Sequence, residues 1–417
     1  MQEMFVCQFH DLSHDGLGVG KVGQKVIFVD GVLPDEIAQV TIQEEKKNFV
    51  LGQLIEIQKF SIDRQDPICP YFSHCGGCQT MHLRYEKSLE IKKRRVLEQL
   101  KKADQSIHRI PVSIQPSGEE LFYRNKIEVK VQGEKVGFYK KKSHELLDIQ
   151  KCFIAKPILN HVLRFFQNEK LLLKNLDKIT FRTNQKQTEV TVIIHAEKKV
   201  NPKLIEKLQQ LPFIVGCVQL KSGYQTTILF GKSCISEEVL GTPFAVDAFA
   251  FMQINLPQAE KLYQKIMEKL NPFQNELILD AYCGIGILAC LMGKQGANVI
   301  GLDVVKQSID SAKENAKNLK LDQLKFFQEP FEKARSIPKA IDTIILNPPR
   351  GGCDDLALSK VLEMNPSKLV YVSCDPSTLA RDLKKLLGSY SIKSIDLFDL
   401  FPQTMHVETL VYLEKSS

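Results

Sequence analysis

The chain has 417 residues, 43% apolar and 25% charged, with 56 Lys and Arg against 49 Asp and Glu. That balance excludes a disordered chain and suits two or three domains with real cores, and no stretch reaches the roughly 18 apolar residues of a membrane span. The start, Met-Gln-Glu-Met-Phe-Val-Cys, has neither a basic segment nor a long apolar run, so a cytoplasmic protein is expected, in which eleven cysteines read as metal ligands or catalytic thiols rather than disulfides.

Residues 1–58 alternate short apolar runs with turn signals: Asp15-Gly16, Gly18, Gly20 and Gly23, then Val26–Val29, Asp30-Gly31, Ile37–Ile42 and Val50–Ile57. Several strands in so short a stretch predict a small β-barrel. The run Asp-Gly-Leu-Gly-Val-Gly-Lys-Val, followed by Val-Ile-Phe-Val-Asp-Gly-Val-Leu-Pro-Asp-Glu, resembles the TRAM domain. That resemblance implies an OB-like barrel that binds RNA; the residues alone fit equally a barrel that only packs on its neighbour.

Next, Cys69, Cys75 and Cys78 are separated by five and then two residues around Gly76-Gly77. Glycines supply no core and let backbone N–H groups approach sulfur, so the group reads as ligands. A fourth ligand is needed, from His74, Cys152, Cys217 or Cys234, and spacing alone leaves structural zinc and a [4Fe-4S] cluster both open. His82, Cys7, Cys290 and Cys353 read as ordinary packing or surface residues.

From Tyr85 to Lys102 a basic amphipathic helix is predicted, with Leu89, Val96, Leu97 and Leu100 on one stripe and Lys92, Lys93, Arg94, Arg95, Lys101 and Lys102 on the other faces. Such clusters, like Lys140–Lys142, mark a solvated face about as often as a polyanion site. The remainder to residue 245 reads as strands at Lys126–Val131, Val136–Tyr139, Ile179–Thr183, Val190–His195, Ile214–Leu220 and Gln225–Phe230, with helices near 156–170 and 201–210. Residues 59–245 thus form a central α+β domain, whose Tyr123–Lys126 and Lys140–Lys142 could touch RNA. The helix 85–102 is free to pack on the domain that follows.

Pro243 to Asn255 reads as a hinge into a helix at Ala259–Leu270. After it, strands and helices alternate, which predicts a doubly wound parallel sheet over 246–417. Leu277–Asp280 is its first strand, Tyr282-Cys283-Gly284-Ile285-Gly286 a tight turn, Val299–Asp303 a strand ending in a carboxylate, and Asp342–Asn347 a strand ending in a polar pocket. Gly284, Gly286 and Ala289 satisfy G-x-G-x-x-A, with Asp303 placed for ribose hydroxyls, so a dinucleotide must be considered. Asp280 before the turn and Asn347-Pro348-Pro349-Arg350 after the later strand instead resemble class I methyltransferases that bind S-adenosylmethionine (SAM). Leu369–Ser373 reads as a buried strand, Asp375-Pro376 as a helix start, and Cys374 between them as a thiol that the helix N-terminus shifts toward thiolate.

Asn347-Pro-Pro-Arg350-x-Gly352, Val370-Tyr371-x-Ser373-Cys374-Asp375-x-x-Thr378 and Phe401-Pro402-Gln403-Thr404-x-His406-x-Glu408 resemble the signatures of the RNA 5-methyluridine methyltransferase family. With the barrel and four cysteines, the chain is similar throughout to that family's 23S ribosomal RNA branch. The resemblance implies a [4Fe-4S] cluster on Cys69, Cys75, Cys78 and Cys152, and SAM held by Gln253, Tyr282, Gly284, Asp303 and Asn347. It makes Cys374 the nucleophile and Glu408 the base, with His406 orienting. Asn347 stands where many relatives have Asp, and Ile287 where some have a polar residue. The expected partner is RNA, not DNA or membrane, and the expected state a monomer. The rivals are a tRNA methyltransferase, a non-catalytic iron–sulfur RNA-binding factor and a dinucleotide redox enzyme.

Overall fold

The computed structural model describes residues 3–271 and 276–416; Met1 and Gln2, at the head of the N-terminal stretch read above, lie outside them. Five strands, Met4–Leu12, Gly18–Val22, Lys25–Val29, Ile37–Glu45 and Phe49–Lys59, close into a barrel in which the last strand lies between the third and fourth. Alternation aims Cys7, Phe9, Ile27, Val29, Ala38, Val40 and Val50 inward. Glu36 is buried at the barrel's edge, and Arg64 grips both carboxylate oxygens, Nε at 2.6 Å and Nη2 at 2.8 Å. This forked pair ties the barrel to the segment that leads into the cysteine loop.

The central body is a seven-stranded sheet in the order Thr226–Gly231, Ile214–Leu220, Val190–His195, Lys178–Thr183, Lys126–Gln132, Lys135–Tyr139 and Leu146–Leu147. Helices Pro157–Asn168 and Pro202–Gln209 pack on it, each with proline in its first turn, where the missing N–H costs nothing. The predicted strands and helices all appear here within about two residues.

The third body holds an eight-stranded sheet: Lys325–Gln328, Asn298–Asp303, Leu277–Asp280, Thr343–Leu346, Lys368–Ser373, Glu408–Lys415, Tyr390–Phe398 and Val112–Gln115. The first five strands are parallel, and Glu408–Lys415 runs antiparallel to both neighbours. One apolar cluster unites the sheet with helices Leu256–Leu270, Ile287–Gly293 and Lys306–Asn318. A second does so with Tyr85–Leu100, Asp355–Met364 and Pro376–Leu386, so the sheet is covered on both faces.

Three expectations are corrected. The strand Val112–Gln115 pairs with Tyr390–Phe398, so residues assigned to the central domain complete the C-terminal sheet. Thr242–Asp247 is not a hinge but pairs with Cys234–Val239, and the hairpin buries Ile235, Val239, Phe244 and Val246 against the C-terminal body. Lys92 is not on a solvated face: the helix Tyr85–Leu100 buries Ser88, Ile91, Lys92, Val96 and Leu100. A lysine goes inside when a carboxylate there meets it, and Asp399 does. Among the described residues no helix is long and apolar enough to cross a membrane.

Candidate active site

The strand Lys368–Ser373 ends at the carboxyl edge of the sheet, and Asp375 caps the next helix, accepting from the N–H groups of Ser377 at 2.8 Å and Thr378 at 3.2 Å. Cys374 lies between strand and cap. Ser373 and Thr409 are the last paired positions with the antiparallel neighbour, and one step outward sets Cys374 beside Glu408. Register alone therefore joins two residues distant in sequence.

Burial, and after it the negative charge of Glu408, push the Cys374 thiol up to about 11 against the pull of Arg350. Burial therefore outweighs the expected pull of the helix N-terminus toward thiolate. Asp375 occupies the N–H groups that would have served the sulfur and adds a negative charge of its own. Glu408 is 3% exposed, and burial raises its carboxyl to about 7, opposed by Arg350. The Arg350 guanidinium stands 3.5 Å from His406 Nε2; burial, then Arg350, holds that imidazole below its ordinary range.

Two cavities lie near these strand ends. Arg350, Cys374, Asp375 and His406 border an open cleft of about 890 Å³, whose far walls come from the barrel (Ser13, His14), the helix residue Arg95 and Lys141-Lys142. All three bodies contribute to it. Behind Asn347 and Val372 lies a narrower pocket of about 60 Å³, also lined by Gln253, Tyr263, Asp280, Tyr282 and Gly284. It sits between strands Leu277–Asp280 and Thr343–Leu346, where the chain order of the sheet reverses and open α/β sheets bind ligands.

The two glycines of the turn act differently. Gly284 has φ +54°, and a Cβ there would meet nothing nearer than the Phe251 carbonyl oxygen at 4.0 Å, which leaves room for a ligand. Gly286, at φ +75°, is required by packing, because a Cβ would press on Ala312 and Phe326 at 3.0–3.1 Å. Asp303 accepts from the N–H groups of Gly284 at 3.1 Å and Val305 at 2.8 Å, and so holds the turn itself. Burial raises Asp280 to about 7, with the Tyr282 N–H opposing and Asp303 adding to the rise.

Tyr263 was not singled out in the sequence. It lines the narrower pocket with Asp280, and burial, then the charges of Asp280 and Glu408, push its hydroxyl well above the ordinary phenol range. A phenol within the apolar stripe of Leu262, Ile266 and Leu270 was the available signal.

Cys69, Cys75, Cys78 and Cys152 line a single cavity of about 190 Å³ walled by Tyr71, Phe72, Met81, Phe138 and Ile154. Cys217 is buried in the central core, and neither it, Cys234 nor His74 borders this cavity. Backbone N–H groups of Tyr71 and Phe72 serve the Cys69 sulfur, that of Gly77 serves Cys75, and those of Ile154 and Ala155 serve Cys152. Burial raises all four thiols, and mutual repulsion among the sulfurs adds to this for Cys69, Cys75 and Cys78. Among the described residues no three His, Cys, Asp or Glu are grouped to hold a metal ion, so the geometry does not establish the expected iron–sulfur centre.

The structure superposes on that of Pyrococcus abyssi tRNA (uracil-54, C5)-methyltransferase in complex with S-adenosyl-L-homocysteine with a TM-score of 0.80 at 24% identity, covering 99% of this chain and 100% of that one. A TRAM domain matches residues 8–55. The tRNA (Uracil-5-)-methyltransferase family matches residues 84–416. An uncharacterized RNA methyltransferase of Oceanobacillus iheyensis is 34% identical over 99% of this chain and 96% of its own length. One of Staphylococcus aureus strain N315 is 33% identical over 96% and 95%. The chain belongs to the tRNA (uracil-5-)-methyltransferase family.

Proposed function

We propose that the protein methylates carbon 5 of a uridine in 23S ribosomal RNA, with Cys374 as nucleophile and Glu408 as base. The observation that carries this is the strand register that sets Cys374 beside Glu408, with Cys374 and Arg350 bordering a cleft open to a macromolecule and a separate pocket at the sheet's switch point. Carbon 5 of uracil is a poor nucleophile until carbon 6 is attacked. The Cys374 thiol gives its proton to solvent, its sulfur bonds carbon 6, and the electron pair of the ring double bond moves toward oxygen 4. Arg350 is placed to stabilise that enolate and to favour the thiolate. Bound SAM supplies an electrophilic methyl group, held by Gln253, Tyr282, Gly284, Asp303 and Asn347. Carbon 5 takes that methyl as its bond to sulfur breaks; Glu408 then accepts the carbon 5 proton, and rupture of the carbon 6–sulfur bond restores the double bond and the thiolate. Because a uracil stacked in folded RNA is out of reach, the cleft must receive it flipped out.

Four thiols on one cavity with N–H groups aimed at their sulfurs suit a cluster larger than a single ion, and we assign Cys69, Cys75, Cys78 and Cys152 to a [4Fe-4S] cluster of structural role. The ribosomal substrate is drawn from the resemblance stated above; the barrel does not separate rRNA from tRNA, because the Pyrococcus abyssi tRNA methyltransferase superposes on 99% of this chain. The decisive experiment is transfer of a labelled methyl group from SAM to 23S rRNA fragments and to tRNA. Label at uridine carbon 5 of rRNA, lost with Cys374→Ala, is expected; label in tRNA alone would move the substrate, and none in either would overturn the enzyme reading.

A further inference from the structure

The loop Asp399–Val407 carries His406 and delivers Glu408, since Phe398 and Glu408 are opposed across the strands it joins. Anchors for this loop come from far away in sequence. Lys92 donates from Nζ to Asp399 Oδ1 at 2.7 Å and to the Phe401 carbonyl at 3.2 Å, and both charged side chains are wholly buried. The Tyr85 hydroxyl donates to Asp399 Oδ2 at 2.8 Å and accepts from the Ser117 N–H at 2.8 Å. Tyr123 donates to the Pro402 carbonyl at 3.0 Å. Directly after Cys78, the N–H groups of Gln79 and Thr80 both donate to the Gln403 carbonyl, at 2.9 and 3.1 Å. Gln403 has φ +66°, a conformation a glutamine holds only when its surroundings impose it.

A buried ion pair adds little net stability, because desolvation offsets the attraction. What it does well is accept a single geometry. We propose that Lys92 and Tyr85 are positioning residues that, through Asp399, hold this loop so that Glu408 can reach the uracil carbon 5 proton at Cys374. The proposal rests on Glu408 being the base. Elimination is then the step that fails first when the network loosens, because the attack by Cys374 depends on a different strand.

The test follows product, and enzyme trapped as a covalent RNA adduct, with labelled SAM for Tyr85→Phe, Lys92→Met and Glu408→Gln side by side. Tyr85→Phe deletes a single hydroxyl and keeps the ring, which guards against misfolding. Expected for both positioning variants are SAM affinity and RNA KM within about twofold of wild type, kcat lowered about tenfold to a hundredfold, and a larger share of methylated adduct. Lys92→Met with Asp399→Leu leaves no unpaired charge, so the melting temperature recovers while kcat stays low. If kcat recovers with the melting temperature, or the adduct share does not rise in either single variant, the positioning role is overturned. A Glu408→Gln variant that traps no adduct removes the base assignment and this proposal with it. If Glu408→Gln traps while Tyr85→Phe and Lys92→Met behave as wild type, only the positioning role falls.

Discussion

Two regions of this molecule hold half-buried cysteines outside any disulfide, and their neighbours set them apart. Cys374 stands alone at a strand end, with Glu408 and Arg350 beside it and the open cleft in front. Cys69, Cys75, Cys78 and Cys152 border one smaller, largely apolar cavity. Burial raises the thiol in both places, so burial does not decide use. In the reading proposed above, the lone thiol beside a carboxyl and an open approach serves addition and elimination, and the four thiols serve a shared cluster.

The most severe way to break that contrast is Cys374→Ala, which should lower methyl transfer by about 10⁴-fold or more and abolish the adduct, measured by labelled methyl incorporation and denaturing electrophoresis. Turnover remaining within tenfold would put Cys374 in the same passive class as the other buried thiols. Glu408→Gln should reduce turnover by about 10²- to 10⁴-fold while methylated adduct accumulates, since addition survives and proton removal does not.

At the other region, Cys78→Ser or Cys152→Ser should remove visible absorption and bound iron. It should also lower the melting temperature by about 5–10 °C, the response to losing a few kcal/mol in a domain of this size. Stoichiometric zinc in the wild-type protein, with no visible band, would replace the cluster assignment.

The smallest effect is on pH dependence. Glu408 has a folded pKa of about 7, above its unfolded value, so the native state binds the extra proton between the two. Stability from this group is therefore full at low pH and falls as pH rises through about 7. Glu408→Gln should match wild type in melting temperature near pH 5 and exceed it by a few degrees at pH 8. Equal melting curves at both values would mean that the carboxyl is not held up by burial. For wild-type kcat/KM, a rise through pH 7 is expected as the base deprotonates.

Much of this architecture could be read in advance because its signals are local. Asp375-Pro376 predicts a helix start wherever the chain goes, and the β-branched run in Val190–His195 predicts a strand, which the sheet buries almost throughout. The signatures around Asn347, Cys374 and Glu408 named residues that the fold brings to one edge of the sheet, though the two glycines of the turn proved to have separate duties. Lys92 misled for the opposite reason: next to Lys93, Arg94 and Arg95 nothing local distinguishes it, and only Asp399, more than three hundred residues on, draws it inside. Val112–Gln115 was equally opaque, since a short strand cannot declare which sheet it will join.

By itself, then, the sequence determined the kinds of elements and most of their bounds, all properties of short-range sterics and apolar periodicity. Tertiary structure alone decided which charges are buried, which strand completes which sheet, and the protonation of Cys374 and Glu408. Those depend on desolvation and on Coulomb partners brought together from distant parts of the chain, and no local pattern encodes them.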